Sequence, residues 1–370
     1  MKKALFLFNP WAINLRHVLM QEFSQKGLSV SVGLSEEETS IWQNRLPIIN
    51  FVPFDAFSGT SVGLLGNLKT LLRMHSLLKR EKPDIVFLGN VKPNIYGGLV
   101  ARWLKIKNIY GLVSGLGYAF IEQPGIKRAF IKRICMCLYK LSFKGFTHVF
   151  FQNQDDRVFF IQHGLVDDVR SSVVNGTGVD LQAFTPHPFP ATLTFFMAAR
   201  LVEEKGVLHY VEAAQRLKKK YPNVRFVLAG NIDTNPSAIT EEQLKRCANI
   251  VEYVGYCSHM VEQMSQSSVF VYPSYYREGV PRALLEALAC GRPVITTDNV
   301  GCKETVMDGE NGFKIQSRST EALANAMEKV IRQPELLHSM GLSSRRLAEK
   351  KFDIHTVNAA IFQTVQNTCS

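Results

Sequence analysis

Long apolar runs are missing from this sequence. The uninterrupted apolar stretches, such as Ile85 to Leu88 and Val149 to Phe151, fall far short of the roughly 20 residues a spanning helix needs, so no segment is expected to cross a bilayer. A secretory leader is not expected either. Met1 to Phe8 is too short before Asn9-Pro10 to supply the apolar core of a signal peptide, lacks a small-residue cleavage site, and reads as a first strand. The seven cysteines, at 135, 137, 247, 257, 290, 302 and 369, are odd in number, with no Cys-x-x-Cys spacing and no His cluster beside them. That pattern excludes a disulfide framework and a structural zinc, and points to reduced thiols in the cytosol. Low-complexity tracts and repeats of roughly 20–50 residues are absent as well. What remains is a chain of 370 residues, 46% apolar and 20% charged, within the ordinary soluble range and long enough for two or three domains.

Charge is plentiful but unevenly placed. Residues 1–185 hold 22 Lys and Arg against 13 Asp and Glu, a net +9, whereas residues 186–370 hold 21 against 19, a net +2. Within the first half, residues 64–146 carry 15 basic and 3 acidic side chains, a net +12. A field of that sign attracts phosphate, nucleic acid or an anionic membrane surface.

Short β-branched and aromatic runs alternate with amphipathic stretches as far as about residue 320, the pattern of parallel sheets covered by helices. Expected strands are Ala4–Phe8, Val30–Leu34, Ile48–Val52, Asp84–Leu88, Ile109–Val113, His148–Phe151 and Val173–Asn175. A second set follows at Leu193–Ala198, Arg225–Ala229, Val251–Val254, Val269–Tyr272, Val294–Thr297 and Gly312–Ile315. Between them Thr185-Pro186-His187-Pro188-Phe189-Pro190 reads as a stiff linker, giving an N-terminal domain at 1–185 and a C-terminal domain at 190–350. Helical pattern at 354–370 has no strand after it, so it is expected to dock back on the first domain. In open α/β sheets ligands sit outside the carboxyl ends of the strands, which places the expected site in a cleft between the domains.

The chemistry concentrates after Val269–Tyr272, where the chain reads Pro273-Ser274-Tyr275-Tyr276-Arg277-Glu278-Gly279-Val280-Pro281-Arg282-Ala283-Leu284-Leu285-Glu286. Pro281 suits the first position of a helix that Gly291 ends. The N–H groups of Val280, Arg282 and Ala283, backed by the helix dipole, form an anion seat bracketed by Glu278 and Glu286. Arg200 and Lys205 follow the first strand of the second set, where two cations at a strand end make a diphosphate clamp rather than an idle solvated loop.

The Glu-x7-Glu spacing of Glu278 and Glu286, opened by Glu-Gly-x-Pro, together with Arg200-x4-Lys205-Gly206, closely resembles the motifs of family 4 glycosyltransferases of GT-B fold. The likeness extends over almost the whole chain and is strongest to the capsule and O-antigen branch. It includes Lys92-Pro93-Asn94-Ile95-Tyr96-Gly97, Gly115-Leu116-Gly117-Tyr118, Phe151-Gln152-Asn153-Gln154-Asp155-Asp156, Gly176-Thr177-Gly178-Val179-Asp180, Ala229-Gly230-Asn231 and Asp298-Asn299-Val300-Gly301-Cys302-Lys303-Glu304.

The resemblance implies an α/β chain of two Rossmann-like domains facing a central cleft. It implies a retaining transferase that moves a hexose or N-acetylhexosamine from a nucleotide sugar, UDP preferred over GDP, to a polyprenyl-diphosphate-linked saccharide. Arg200 and Lys205 would neutralise the departing diphosphate, a role that needs donors fixed in advance. Glu278 would face the donor sugar and Glu286 the ribose hydroxyls, with Gly279, Val280, Pro281, Arg282 and Gly230 completing the donor site. Lys92, Asn94, Ser114 and Gly115 fall on the acceptor side. This chain departs from the wider family where relatives carry a Gly-Gly pair, reading Asn9-Pro10-Trp11-Ala12 instead, and where many carry His, having Ser114. Ser114 is therefore read as a hydrogen-bond donor rather than a base, and His17, near the first loop, as structural or acceptor-side. No Asp-x-Asp occurs, which disfavours the metal-dependent GT-A alternative, and no metal or other cofactor is expected.

Residues 125–146 place Lys127, Arg128, Lys132, Arg133, Lys140 and Lys144 among Phe130, Ile131, Ile134, Leu138, Tyr139 and Leu141. Such a basic amphipathic helix suits an anionic cytoplasmic leaflet, so the protein is expected in the cytoplasm, peripheral on the inner face of the membrane. Competing readings are a GT-B epimerase or phosphorylase, a lectin-like binder and a basic nucleic-acid-binding protein. The last lacks any recognised nucleic-acid module here, and no nucleic acid is expected as partner.

Overall fold

Strands in this chain are short because their apolar runs are: Arg225–Ala229, Val269–Tyr272 and Val294–Thr297, for example, are stopped directly by Gly230, Pro273 and Asp298. The computed structural model describes residues 1–9, 12–55, 64–116, 120, 126–233 and 237–369. The chain divides into two units, one made of residues 1–177 and 356–370, the other of residues 178–355.

In the first unit the strands are β1 (Lys3–Leu7), β2 (Ser29–Leu34), β3 (Asn50–Pro53), β4 (Ile85–Gly89), β5 (Asn108–Val113), β6 (His148–Phe151) and β7 (Ser171–Val173). They pair in parallel in the order β3-β2-β1-β4-β5-β6-β7. Nearly every residue of β4, β5 and β6 is buried, as expected of strands covered on both faces. On one face the register aligns Phe6, Phe87 and Tyr110 across three strands, and Phe150 of the next strand stacks on them two residues out of register. Phe6 stacks on Phe87 with centroids 4.6 Å apart, Phe87 on Tyr110 at 5.2 Å, and Tyr110 on Phe150 at 6.5 Å. Helix Ile354–Thr368 packs in the same core through Val357, Ile361 and Val365. Phe362 meets Phe23 edge-on at 5.0 Å, and Tyr110 Oη shares a 2.9 Å hydrogen bond with Thr368. Burial pushes the Tyr110 hydroxyl up to about 12. The opposite face is covered by helices Leu64–Glu81, Gly98–Trp103 and Ile126–Phe143.

In the second unit the strands are β8 (Thr194–Ala198), β9 (Arg225–Ala229), β10 (Glu252–Tyr253), β11 (Val269–Tyr272), β12 (Val294–Thr297) and β13 (Gly312–Ile315). They are again all parallel, ordered β10-β9-β8-β11-β12-β13. Helices Val207–Lys220 and Thr320–Arg332 cover one face, and Arg282–Ala289 lies in the core of the other. All thirteen strands fall within about two residues of the stretches read from the sequence, a margin common to strand and helix ends.

The division between units falls at Thr177 and Gly178, ahead of the proline-rich stretch. That stretch packs on the second unit. The fully buried Arg292 donates to the carbonyls of His187 (2.9 Å) and Pro188 (3.3 Å), and its guanidinium stacks on the Phe189 ring. Composition marked the stiffness of the segment but not the buried arginine that holds it. Among the described residues no helix is long and apolar enough to cross a membrane.

Ile361 fills the core beside Trp42, and positions 11, 42 and 103, which hold the only tryptophans, all lie in the first unit. Ile361→Ala is expected to cost about 2–5 kcal/mol of that unit's stability, read as an earlier urea midpoint in tryptophan fluorescence.

Candidate active site

Parallel strand order reverses between β8 and β11 in the second unit, and the loops leaving their carboxyl ends diverge there. Ligands of open α/β sheets bind at such a switch point. The loop after β8 carries Arg200 and Lys205, and the loop after β11 carries Glu278.

Lys205 and Glu278 meet inside the protein. Lys205 Nζ lies 2.6 Å from Glu278 Oε2, with side chains only 7% and 15% exposed. The ammonium also donates to Tyr272 Oη at 2.9 Å, and that hydroxyl donates to Glu278 Oε1 at 3.1 Å. Burial first, then the Glu278 charge, holds the Tyr272 hydroxyl far above its ordinary pKa, so it stays a donor at any physiological pH. Ser274 Oγ donates to Glu278 Oε1 at 2.9 Å. The ammonium has three protons; the third has no acceptor among the described residues.

Backbone contacts fix the two loops together. Tyr275 and Tyr276 both donate their N–H to the Glu204 carbonyl, at 2.9 and 3.1 Å. Gly206 follows at φ +77°, where a Cβ would stand 2.3 Å from the Pro273 carbonyl oxygen, so only glycine lets the loops approach this closely.

Arg200 is placed differently. It is 55% exposed and pairs with Asp233 at 2.9 Å. The two cations that look alike in sequence are thus one buried and committed, the other half in water and exchangeable.

Helix Arg282–Ala289 begins one residue later than its sequence suggests. Pro281 is its N-cap, with ψ of 124°, because its carbonyl accepts the first helical N–H groups. No side chain caps this end, and the N–H groups of Arg282 and Ala283 have no acceptor among the described residues. Val280 and Pro281 are buried just ahead of it, and Gly279 lies between them and Glu278. Inside the helix Arg282 Nε donates to Glu286 at 2.9 Å, an i,i+4 pair. Burial raises the Glu286 carboxyl above its ordinary pKa, and Arg282 pulls it partly back. Glu286 lines an open cavity of about 650 Å³ with Phe184, His187, His259, Met260 and Ser265. Gly230 is structural at this end of the sheet. A Cβ there would lie 1.8 Å from the Ala199 carbonyl oxygen, and its own N–H and carbonyl are engaged by Gly255 and Tyr253.

In the first unit the corresponding reversal lies between β1 and β4. Lys92, after β4, is half-buried with no ion pair among the described residues. Asn94 is a correction: it is fully buried, its amide donating to the Leu112 carbonyl at 3.0 Å while its backbone carbonyl accepts from Ser142. It braces a π-turn against β5 and does not reach an acceptor. Ser114 Oγ accepts from Gln152 at 3.3 Å, beside Gly115 at φ +96°. Gly117 and Tyr118 lie outside the described residues, as do Pro10 and Trp11. His17 is half-buried against the Asn14 carbonyl and near the Trp42 ring.

The sequence reading missed Tyr272, Ser274 and the Arg282 side chain. Tyr272 and Ser274 look like strand-end core residues; only the i,i+4 spacing of Arg282 and Glu286 was available as a signal.

Comparison with solved structures shows that the chain has the GT-B fold. Sucrose-phosphate synthase from Thermosynechococcus elongatus superposes with a TM-score of 0.79 at 17% identity over 99% of each chain. Anabaena HepE, solved with UDP and glucose, superposes with a TM-score of 0.76 at 18% identity over 99% of this chain and 100% of its own. Residues 185–347 match the family model for glycosyl transferases group 1, and residues 4–153 the model for glycosyl transferase 4-like domains. The chain belongs to this glycosyltransferase family. It is 32% identical, over 76% of each chain, to the N,N'-diacetylbacillosaminyl-diphospho-undecaprenol alpha-1,3-N-acetylgalactosaminyltransferase of Campylobacter jejuni. It is 27% identical to the UDP-Gal:alpha-D-GlcNAc-diphosphoundecaprenol alpha-1,3-galactosyltransferase of Escherichia coli, over 80% of this chain and 78% of that one.

Two measurements test the site. Lys205→Met removes the counter-charge from a buried carboxylate and should lower the second unit's stability by about 3–5 kcal/mol, whereas Lys205→Met with Glu278→Leu should recover most of that loss. Hydrogen exchange of the β11 peptide reads both. Because the folded Glu286 carboxyl is raised above its unfolded value, its charge costs stability as pH rises past the ordinary carboxylate range, and the full cost persists above the raised value. Glu286→Gln should therefore melt above wild type at neutral pH, with the gap closing as the pH falls toward that range.

Proposed function

We propose that this glycosyltransferase moves a hexose or N-acetylhexosamine from a UDP-sugar to a polyprenyl-diphosphate-linked saccharide, with retention and without a metal ion, in bacterial surface-polysaccharide synthesis. The observation that carries the reading is the Lys205 ammonium, fixed at the switch point with one proton still to give. Arg200, half exposed at the end of β8, and the uncapped N–H groups of Arg282 and Ala283 supply further donors for a diphosphate. These fixed positive ends do what a divalent ion does elsewhere: they stabilise negative charge as it gathers on the leaving phosphate.

The acceptor hydroxyl oxygen bonds to the anomeric carbon on the face from which the bond to the diphosphate oxygen breaks. The proton of that hydroxyl passes to the departing phosphate oxygen, and the products are the glycoside and UDP. No protein base is needed, which agrees with Ser114 where a histidine stands in many relatives. Glu278 contacts the donor sugar while orienting Lys205, and Glu286 takes the ribose hydroxyls. The two relatives named above support the lipid-diphosphate acceptor, and the E. coli relative's name supports a UDP donor.

The first unit faces an anionic cytoplasmic leaflet. Phe130, Ile131, Ile134 and Leu141 are exposed on helix Ile126–Phe143 among exposed Arg133, Lys140 and Lys144; the Lys127 and Arg128 side chains lie outside the described residues. Apolar side chains standing among the cations favour lipid over nucleic acid as the partner of this surface.

Thermal-shift measurements against a nucleotide panel should show UDP and UDP-sugars raising Tm, with chelator leaving both binding and turnover intact. Arg200→Ala should fold normally and lower kcat by about 100-fold or more. Unchanged turnover in Arg200→Ala, or activity abolished by chelator, would overturn the reading.

A further inference from the structure

At the amino ends of β1, β4 and β5 the first unit has an open cavity of about 430 Å³. Five lysines line it: Lys2, Lys79, Lys82, Lys105 and Lys107. One carboxylate, Asp84, lines it with them, and that side chain accepts the Lys3 backbone N–H at 2.7 Å. Glu81, the nearest acid in sequence, pairs with Arg80 instead. Lys79, Lys82, Lys105 and Lys107 are all exposed and make no ion pair among the described residues.

Helix-end electrostatics account for part of this cluster. Crossover helices of a parallel sheet end where strands begin, and helices Leu64–Glu81 and Gly98–Trp103 bring their carboxyl ends here. Lys2 has partners of its own, Cys369 Sγ at 3.3 Å among them. Each helix end is worth about half a negative charge, so two ends and Asp84 offset about two of the other four cations. About two positive charges are left over around one cavity. Two of the lysines also hold a costly backbone position. Lys82 at φ +45° and Lys105 at φ +57° follow the two helices in the left-handed turn that glycine ordinarily fills.

We propose that this cavity is a second anion site, binding a phosphate-bearing ligand at the pole of the first unit opposite its strand carboxyl ends. The cavity takes a phosphate or diphosphate group, and the surplus charge is of the right size for one. The phosphate belongs to a soluble anion or to an anionic lipid headgroup. Trp103, 71% exposed on the helix that precedes Lys105, stands ready to accompany the second.

Lysine acetylation followed by mass spectrometry tests this on the full chain. Inorganic pyrophosphate, or vesicles of phosphatidylcholine with phosphatidylglycerol, should slow modification of Lys79, Lys82, Lys105 and Lys107 several-fold while leaving Lys219 and Lys350 unchanged. Protection by pyrophosphate identifies a soluble anion, and protection by the mixed vesicles alone identifies a headgroup; either supports the site. Lys82→Gly with Lys105→Gly removes two charges and relaxes both turns, so the variant should fold at least as well as wild type and lose protection at Lys79 and Lys107. Unchanged rates with both probes, equal slowing at lysines across the whole surface, or full protection in the double variant would overturn the proposal, as would protection by an oligonucleotide where both probes fail.

Discussion

A charged ammonium and a charged carboxylate cannot be left unpaired where water is excluded, and Lys205 with Glu278 is the place where this chain meets that constraint. The pair joins two loops that belong to different strands, so the strand order around β8 and β11 has to be right before either charge is accommodated. Tyr272 and Ser274 extend the arrangement downward into the sheet, each donating to the carboxylate. The Glu204 carbonyl, taking two N–H groups from the opposite loop, and Gly206, with no side chain to obstruct it, hold the backbone for the same purpose. A buried pair of this kind is weak evidence of net stability, because two hydrophobic residues of similar size would desolvate at no cost. Its retention here makes sense as positioning: it sets an ammonium at one point and fixes the direction in which its remaining proton lies.

Arg200 shows the contrasting solution. Its guanidinium is 55% exposed although its partner Asp233 is only 21% exposed, and ion pairs open to water contribute about 0–1 kcal/mol. Lys205 is held in place, Arg200 stands half in water, and the helix start has N–H groups without an acceptor among the described residues. The three groups thus differ in how much desolvation each has already met.

Much of this was legible in the amino-acid sequence, for a physical reason. Parallel strands buried on both faces are continuous apolar runs, and the residues that end them are turn formers, so β11 and β12 are bounded by Pro273 and Asp298 as plainly on paper as in space. Glu278, Glu286, Arg200 and Lys205 stood out by their Glu-x7-Glu and Arg-x4-Lys spacings, and the structure brings Lys205 and Glu278 into contact. Burial was not. The spacing that identifies Lys205 says nothing of its being nearly dry, since that depends on Tyr272 and Ser274, which read as ordinary core. Asn94 failed for the converse reason: a polar residue beside a motif lysine looks like surface, yet its amide satisfies a carbonyl of β5 inside the unit. The packing of the proline-rich stretch was hidden likewise, because Arg292 lies about a hundred residues away from the carbonyls it caps.

The same reasoning separates two kinds of positive charge in the first unit. Lysines on helix Ile126–Phe143 alternate with exposed Phe130, Ile134 and Leu141, so their field and an apolar surface act in one place. The lysines at the strand amino ends line one cavity together with Leu78, Pro83, Leu104 and Ile106, two of them from backbone positions a side chain ordinarily avoids. Net charge alone treats these groups as one basic half. Their surroundings distinguish them, because an interface gains by spreading charge among greasy side chains, whereas a pocket that concentrates it raises its own electrostatic energy until an anion arrives.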